Sequence, residues 1–563
     1  MIRKLAPELR RHIISARELG SSADHRGVLT TNYDSCVIGS GPGGAVTAAV
    51  LASAGMKVLL VERGPFVPPE QTNFRVLDMS NKFGHVETTN GFRAVLYQGR
   101  ALGGSSIIFG AVAMKPRQFI FDEWRERTGV ASINAESLEP HYAHVAEVMS
   151  VTKQTRDLEN RPNAIVREMA SALGKPEDLV LVNRYTHGCA GVGLCNFGCA
   201  VDLKGNMLNS FLPLALETGN FTVLTECEAE AIVGDEGKGG WNAAGVALSF
   251  QERTPSDLSG REGFERHSNN LSGREGWLAP ASSAAMRRRA IINARRMVVA
   301  AGAFFSSSIL LRSPKFPNRQ SIGRKIYLQP HAQIFALFDK PVTAPGATQD
   351  DGQYVPFNGV PAIYNFLGFL KEHHFWWLAS ILYPAGLASF VSNLKPDEHF
   401  EIMRQYHNTM SITLTVKDDP AKSRMVLKDG RAQLDFEESK HDIESFRKCF
   451  LAAAEGFLKV GARRVFLPLL RPPVIEKPAD LRKIETLKFT YNDLISYSDH
   501  TSGGNQFGVD AEHGVTDPQG RVFGTSNVYV ADSSLFPSAP GVNPSWTIMA
   551  LARHVALGIL SQS

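Results

Sequence analysis

The chain is poor in cysteine. Six cysteines among 563 residues cannot build a disulfide framework, and this points to a reducing compartment, with the cytoplasm as the expected location. Long hydrophobic runs are missing too. The greasiest stretch, Phe375 to Phe390, is too short to cross a bilayer and carries Pro384, so no membrane-spanning helix is expected. Charge of one sign is scarce. A net charge of +4 over 61.6 kDa is too slight to argue for nucleic acid or for strongly acidic partners. Residues Met1 to Gly20 have no uninterrupted apolar segment and do not read as a secretory signal. Their spaced arginines read as a surface helix, with peripheral contact to a membrane surface as the alternative.

What is present is an ordinary soluble composition, 43% hydrophobic and 21% charged, in a chain long enough for two domains. Its organising stretch is Tyr33 to Gly64. An apolar run at Cys36–Ile38 is followed by Gly39, Gly41 and Gly44 in the spacing GxGxxG. A small-residue helix, a second apolar strand and then Glu62 come next. In such a unit Gly39 allows the sharp turn out of the strand, Gly41 lets a pyrophosphate approach the backbone, and Gly44 lets the helix lie close to the sheet. The helix N-terminus faces the phosphates and Glu62 takes the ribose. A dinucleotide held near the start of a long chain suits FAD.

Further along, Gly99 to Met114 is a glycine- and serine-rich loop running into an apolar segment. Phe221 to Val233 alternates as a strand does. Gly234 to Ala294 is rich in glycine, serine and charge, repeats LSGREG at Leu258 and Leu271, and reads as an exposed excursion. His331 to about Tyr491 is the candidate second domain, with strands near Ser411–Thr415, Arg424–Leu427 and Gln433–Phe436 and a helix over Ile443–Val460. Phe375 to Phe390 admits two readings, a core or lid segment and an apolar substrate entrance.

Three stretches carry a family resemblance. GRALGGSS at Gly99 resembles the first signature of the glucose–methanol–choline (GMC) oxidoreductases, although the family's asparagine is Phe109 here. Gly302, Ala303, Ser306, Ser307, Ile309, Leu310 and Ser313 follow the second signature, with Pro314 where the family has glycine. The spacing of His500, Asp532 and Asn543, with GVNP, is similar to the cholesterol oxidase and long-chain alcohol oxidase branch.

The resemblance implies an α/β fold. A Rossmann-like FAD domain would span 33–330, with an insertion at 234–294, and resume at 492–563. A substrate domain with an antiparallel sheet would span 331–491. It further implies FAD contacts from Ser40, Gly103, Ser105, Gly110, Ala229, Asp532, Asn543 and Pro544. The expected reaction is oxidation of a CH–OH group of an apolar alcohol by hydride transfer to flavin. His500 would accept the hydroxyl proton near its ordinary pKa of about 6.5, and Asn543 would hold the oxygen. Oxygen, a quinone or a carrier protein would reoxidise the flavin. The runner-up is a sugar or polyol dehydrogenase. A flavin-binding lyase or partner-binding protein is the reading from another class.

Cys189, Cys195 and Cys199, spaced C-x5-C-x3-C among glycines, could aim thiolates at an iron–sulfur cluster. Related cysteine-bearing segments hold a three-iron cluster in some bacterial members. The expectation here is a tight loop with small thiols and no metal.

Overall fold

The computed structural model describes the chain except residues 1–4, 20–22, 74–75, 90–94, 252–286, 343–359, 381–386, 389–390, 392–393, 420–422 and 563. Six parallel strands form the first sheet, in the order Ile13–Ser15, Phe221–Thr225, Val58–Val61, Ser35–Ile38, Met297–Val299, Val528–Val530. Val58–Val61 and Met297–Val299 are apolar and buried throughout, and Ser35–Ile38 is buried throughout. Strands with helices over both faces have no solvated side, so alternation disappears. The small-residue helix Pro42–Ser53 follows the strand Ser35–Ile38. A Cβ on Gly44 would stand 1.9 Å from the Gly39 carbonyl oxygen, and one on Gly43 would stand 1.9 Å from that of Ala531. The helix therefore packs directly on backbone, as the glycine spacing predicts.

The first strand was not legible as one. Instead of a surface helix, Pro7–His12 makes a short 3-10 turn and Ile13–Ser15 joins the edge of the parallel sheet. Ile13 and Ile14 pair with Val223 and Leu224. Two of the arginines pair with acids near the surface, Arg10 with Glu70 at 2.6 Å and Arg17 with Glu226 at 2.7 Å. Phe221 to Val233 is also two strands. Glu226, at φ 56°, ends the parallel strand, and Cys227–Gly237 begins a separate antiparallel sheet with Gly240–Gln251 and Arg287–Asn293. Much of the expected excursion is therefore ordered sheet. The LSGREG repeats lie outside the described residues.

Among the described residues the large second sheet has nine strands, with Thr409–Val416 near its middle. All eight of that strand's residues are buried. Met410, Ile412, Leu414 and Val416 belong to the main apolar core, whereas Thr413 and Thr415 on the opposite face line a cavity. The helix Lys440–Lys459 lies on the core side and ends before Gly461, at φ 89°. The sheet also takes Gly84–Thr88, Val95–Gly99, Leu179–Leu181 and Ser496–Ser498. The second domain is thus not one chain segment. Arg424–Lys428 and Arg431–Asp435 form a smaller sheet with Arg324–Tyr327 and Ser502–Gly504.

The strand Phe375–Ser380 covers the start of the greasy stretch, and most of 381–390 lies outside the described residues. Trp376 and Trp377 are 1% and 0% exposed. Trp377 packs in the main core, and Trp376 packs with Val112, Val182, Ala362, Leu367 and Val542. These indoles are core, not an entrance. Trp376→Asp should cost about 3 kcal/mol or more, from a lost large side chain and a buried charge. Thermal melting checks this, and a variant melting with wild type would place the indole outside the core.

Candidate active site

One cavity of about 570 Å3 runs along the C-terminal ends of the parallel strands and on beneath the second sheet. Its first end is built by two glycine loops locked together. Gly39 takes φ 101°, and a Cβ there would lie 2.4 Å from the Ala300 carbonyl oxygen. A Cβ on Gly41 would meet nothing within 4 Å, so this glycine opens onto the cavity at the helix N-terminus. The Ser40 hydroxyl donates to Glu62 Oε2 at 2.6 Å and accepts from Gly103 N at 2.9 Å. A Cβ on Gly104 would lie 2.6 Å from Gly41 Cα. Gly103 sits at φ 99°, and Ser105 Oγ accepts from Gly99 N at 3.0 Å.

Glu62 closes this end. Its carboxylate also accepts from Ser40 N at 3.1 Å and Gly64 N at 2.7 Å, and burial raises its pKa. Oε1, which accepts from Gly64 N alone of these donors, retains a lone pair for a ribose hydroxyl, whereas Oε2 is filled by Ser40. Cys227, Glu228 and Ala229 line the wall beside it. The open face at Gly41, the helix N-terminus and this carboxylate fit a pyrophosphate and ribose. Gly44 and Gly103 act behind the wall, through packing.

Asp532 ties the centre. Its carboxylate accepts from Gly302 N at 2.8 Å, from Ser306 Oγ at 2.5 Å and from Ser534 N at 2.8 Å, and burial raises its pKa. Beyond it, Asn543, Pro544 and Ser545 bring the start of the helix Ser545–Ser561 to the wall. Gly110 and Phe109 line the same cavity. Phe109 stacks on Tyr185 at 5.1 Å, and Asn196, from the cysteine-bearing loop, reaches the cavity next to Gly110.

His500 and Asn543 meet at the far end, with Asn543 Nδ2 3.4 Å from His500 Nε2. Residues the sequence reading did not single out surround them. His331 stacks edge-on against His500 at 4.5 Å. Asp499 Oδ1 lies 2.6 Å from His331 Nε2 and 3.6 Å from His500 Nε2. Gln329 Nε2 reaches His500 Nδ1 at 2.8 Å, and Asn365 Nδ2 donates to Asn543 Oδ1 at 3.5 Å. The one signal available in sequence was that Asp499 adjoins His500 and that Gln329 and His331 flank Pro330.

Burial pushes the His500 imidazole down to about 4; Asp499 opposes this and His331 adds to it. The ring is therefore neutral at physiological pH, and the ordinary value expected from sequence does not hold. Burial also pushes the Asp499 carboxyl up, but His500 and His331 outweigh it and hold it below the usual carboxylate range. A reaction needing neutral His500 and ionised Asp499 should run at constant rate from about pH 8 down to about pH 5.5 and fall as pH drops toward 4. A pH profile of the reductive step checks this, and a midpoint near 6.5 would contradict it.

Cys189, Cys195 and Cys199 line a separate cavity of about 30 Å3. All are free thiols. Arg184 Nη2 donates to Cys195 Sγ at 3.4 Å, and buried Lys204 donates to the carbonyls of Ile107, Phe109 and Cys195. Among the described residues, His331, Asp499 and His500 are the one group of three such side chains whose ligand atoms converge within 4.8 Å; the three thiols do not.

A parallel-sheet dinucleotide cleft ending at an imidazole, an amide and a carboxylate defines an oxidoreductase working with a bound dinucleotide. Residues 40–262 and 411–552 match the N- and C-terminal models of the GMC oxidoreductases. The chain belongs to this family of FAD-dependent enzymes acting on CH–OH donors. It is 25% identical to an uncharacterized GMC-type oxidoreductase, y4nJ, of Sinorhizobium fredii, over 95% of this chain and 96% of that one. It is 23% identical to the long-chain-alcohol oxidase FAO4A of Arabidopsis thaliana, over 95% of this chain and 69% of that one. The solved structure of pyridoxine 4-oxidase from Mesorbium loti shares the fold, with a TM-score of 0.65 at 14% identity, covering 94% of this chain and 99% of that one. Among the described residues, no helix is long and apolar enough to cross a membrane.

Proposed function

We propose that this enzyme oxidises an apolar alcohol, of the long-chain or sterol class, at the His500–Asn543 end of the cavity. The observation that carries this reading is the convergence of His500, Asn543 and Asp499 on one point of a cavity continuous with the FAD cleft. FAD held along the Gly41 and Glu62 cleft would supply the acceptor for the hydride of the carbinol carbon. The chain's own residues do the rest. Asn543 and His500 hold the hydroxyl oxygen so that the carbon faces the flavin end, and the polar cluster takes up the hydroxyl proton.

Val112, Pro361, Ala362 and Leu378 give this part of the cavity an apolar wall, which supports the apolar substrate, as does the long-chain-alcohol oxidase relative. Gln333, which donates to Ser380 Oγ at 3.2 Å, and Thr413 support the second reading, a sugar or polyol. An anaerobic screen of fatty alcohols, sterols and sugars, following flavin bleaching, separates them. Fatty alcohols or sterols should bleach the flavin at the lowest concentrations, and preferential bleaching by sugars would reverse the choice.

Oxygen is the acceptor this reading favours, on the strength of the oxidase relative. Six free cysteines suit a cytoplasmic setting. The cysteine-bearing loop serves as packing that carries Asn196 to the cavity. Protein purified without air should contain flavin and no stoichiometric iron, and about three irons per chain by metal analysis would overturn that assignment.

A further inference from the structure

The hydrogen-bond inventory around His500 can be read atom by atom. Gln329 is fully buried, and its side-chain amide is oriented by two backbone groups. Gly541 N donates to its Oε1 at 3.1 Å, and its Nε2 donates to the Val542 carbonyl at 3.1 Å. An amide nitrogen has two hydrogens and no acceptor capacity. The second hydrogen of Gln329 Nε2 therefore points at His500 Nδ1, 2.8 Å away, and Nδ1 must accept. The neutral ring then carries its proton on Nε2, the nitrogen facing Asn543 and the cavity.

The backbone reinforces this orientation. Gln329 is held at φ 44°, a left-handed conformation disfavoured for a non-glycine residue. The Asp418 carboxylate holds it there, accepting from Leu328 N at 2.7 Å and Gln329 N at 2.9 Å.

An Nε2–H imidazole donates a hydrogen bond; it has no lone pair there to take a proton. Asn543 Nδ2, 3.4 Å away, is a donor as well. Two donors facing one point suit an oxygen with two lone pairs. An acceptor stands beside them in Asp499 Oδ1, 3.6 Å from His500 Nε2 and on a side chain 45% exposed. A hydroxyl oxygen seated between the two could accept from Nε2–H and donate its own proton to the carboxylate. We propose that Asp499, not His500, receives the hydroxyl proton, and that Gln329 is the positioning residue that fixes His500 as the donor on the alcohol oxygen.

This rests on the alcohol-oxidising reading above. In the step, the O–H bond breaks and its proton passes to Asp499 Oδ1. The carbinol C–H bond breaks with its electron pair going to FAD as hydride. The carbon–oxygen bond becomes a carbonyl. His331 Nε2, 2.6 Å from the same carboxylate oxygen, holds Asp499 in place.

Two measurements on the holoenzyme test this. Asp499→Asn, of the same shape, should keep its FAD and slow anaerobic flavin reduction on the order of 10²–10⁴-fold, with Asp499→Glu recovering part of the rate. Reduction of Asp499→Asn at the wild-type rate would overturn the proposal while leaving the alcohol reading intact. If no alcohol reduces the wild-type flavin, that reading itself fails, and the second measurement still decides the tautomer. Nitrogen-15 spectra of histidine-labelled protein, with His500 assigned by difference from His500→Gln, should show an unprotonated Nδ1 and a protonated Nε2. A protonated Nδ1 would overturn the proposal.

Discussion

His500→Ala should retain its FAD and undergo reduction by alcohol more slowly on the order of 10²–10⁴-fold. The ring touches neither glycine loop, and the cofactor end of the cavity is built from Gly39, Gly41 and Glu62, so flavin content should not change. What disappears is the imidazole between Gln329 and the reacting oxygen. Alanine would also leave the second hydrogen of Gln329 Nε2 without its imidazole acceptor. Stopped-flow reduction without air measures the effect, and unchanged rates would place the chemistry elsewhere in the cavity.

Gly41→Val should fold and purify without flavin. The effect is close to all-or-none because of where the side chain goes. A Cβ at Gly41 meets no protein atom within 4 Å, so the added bulk enters the space the pyrophosphate needs. Gly44→Ala makes the contrast. Its Cβ would collide with the Gly39 carbonyl, so that substitution should damage folding itself. Absorbance of the purified variants together with their melting curves distinguishes the two. A yellow Gly41→Val with full flavin content would contradict the assignment of this loop to the cofactor.

The dinucleotide unit was legible because all its parts are near in sequence. Strand, glycines, helix, strand and Glu62 fall within Tyr33 to Gly64, and each has a local physical reason. The strand at Ile13–Ser15 was not, since its partner Val223–Thr225 lies far along the chain. Trp376 and Trp377 left two readings open for another reason. A run of aromatics shows that a segment is apolar but not which surface covers it, and here both indoles are buried. His500 and Asn543 stood out by resemblance. Gln329, His331 and Asp499 did not, because isolated polar residues are common and their convergence appears only when the strand His331–Leu337 pairs with Thr409–Val416 and Ser496–Ser498.

The most direct test of the account is the stoichiometry of a single anaerobic turnover. Purified enzyme is mixed with an alcohol that bleaches its flavin, with oxygen excluded, and the products are counted. The account predicts one aldehyde or ketone formed for each flavin reduced, with hydrogen from the carbinol carbon lost in the step. Flavin that stays oxidised with every alcohol, or bleaches without a carbonyl product, would contradict it.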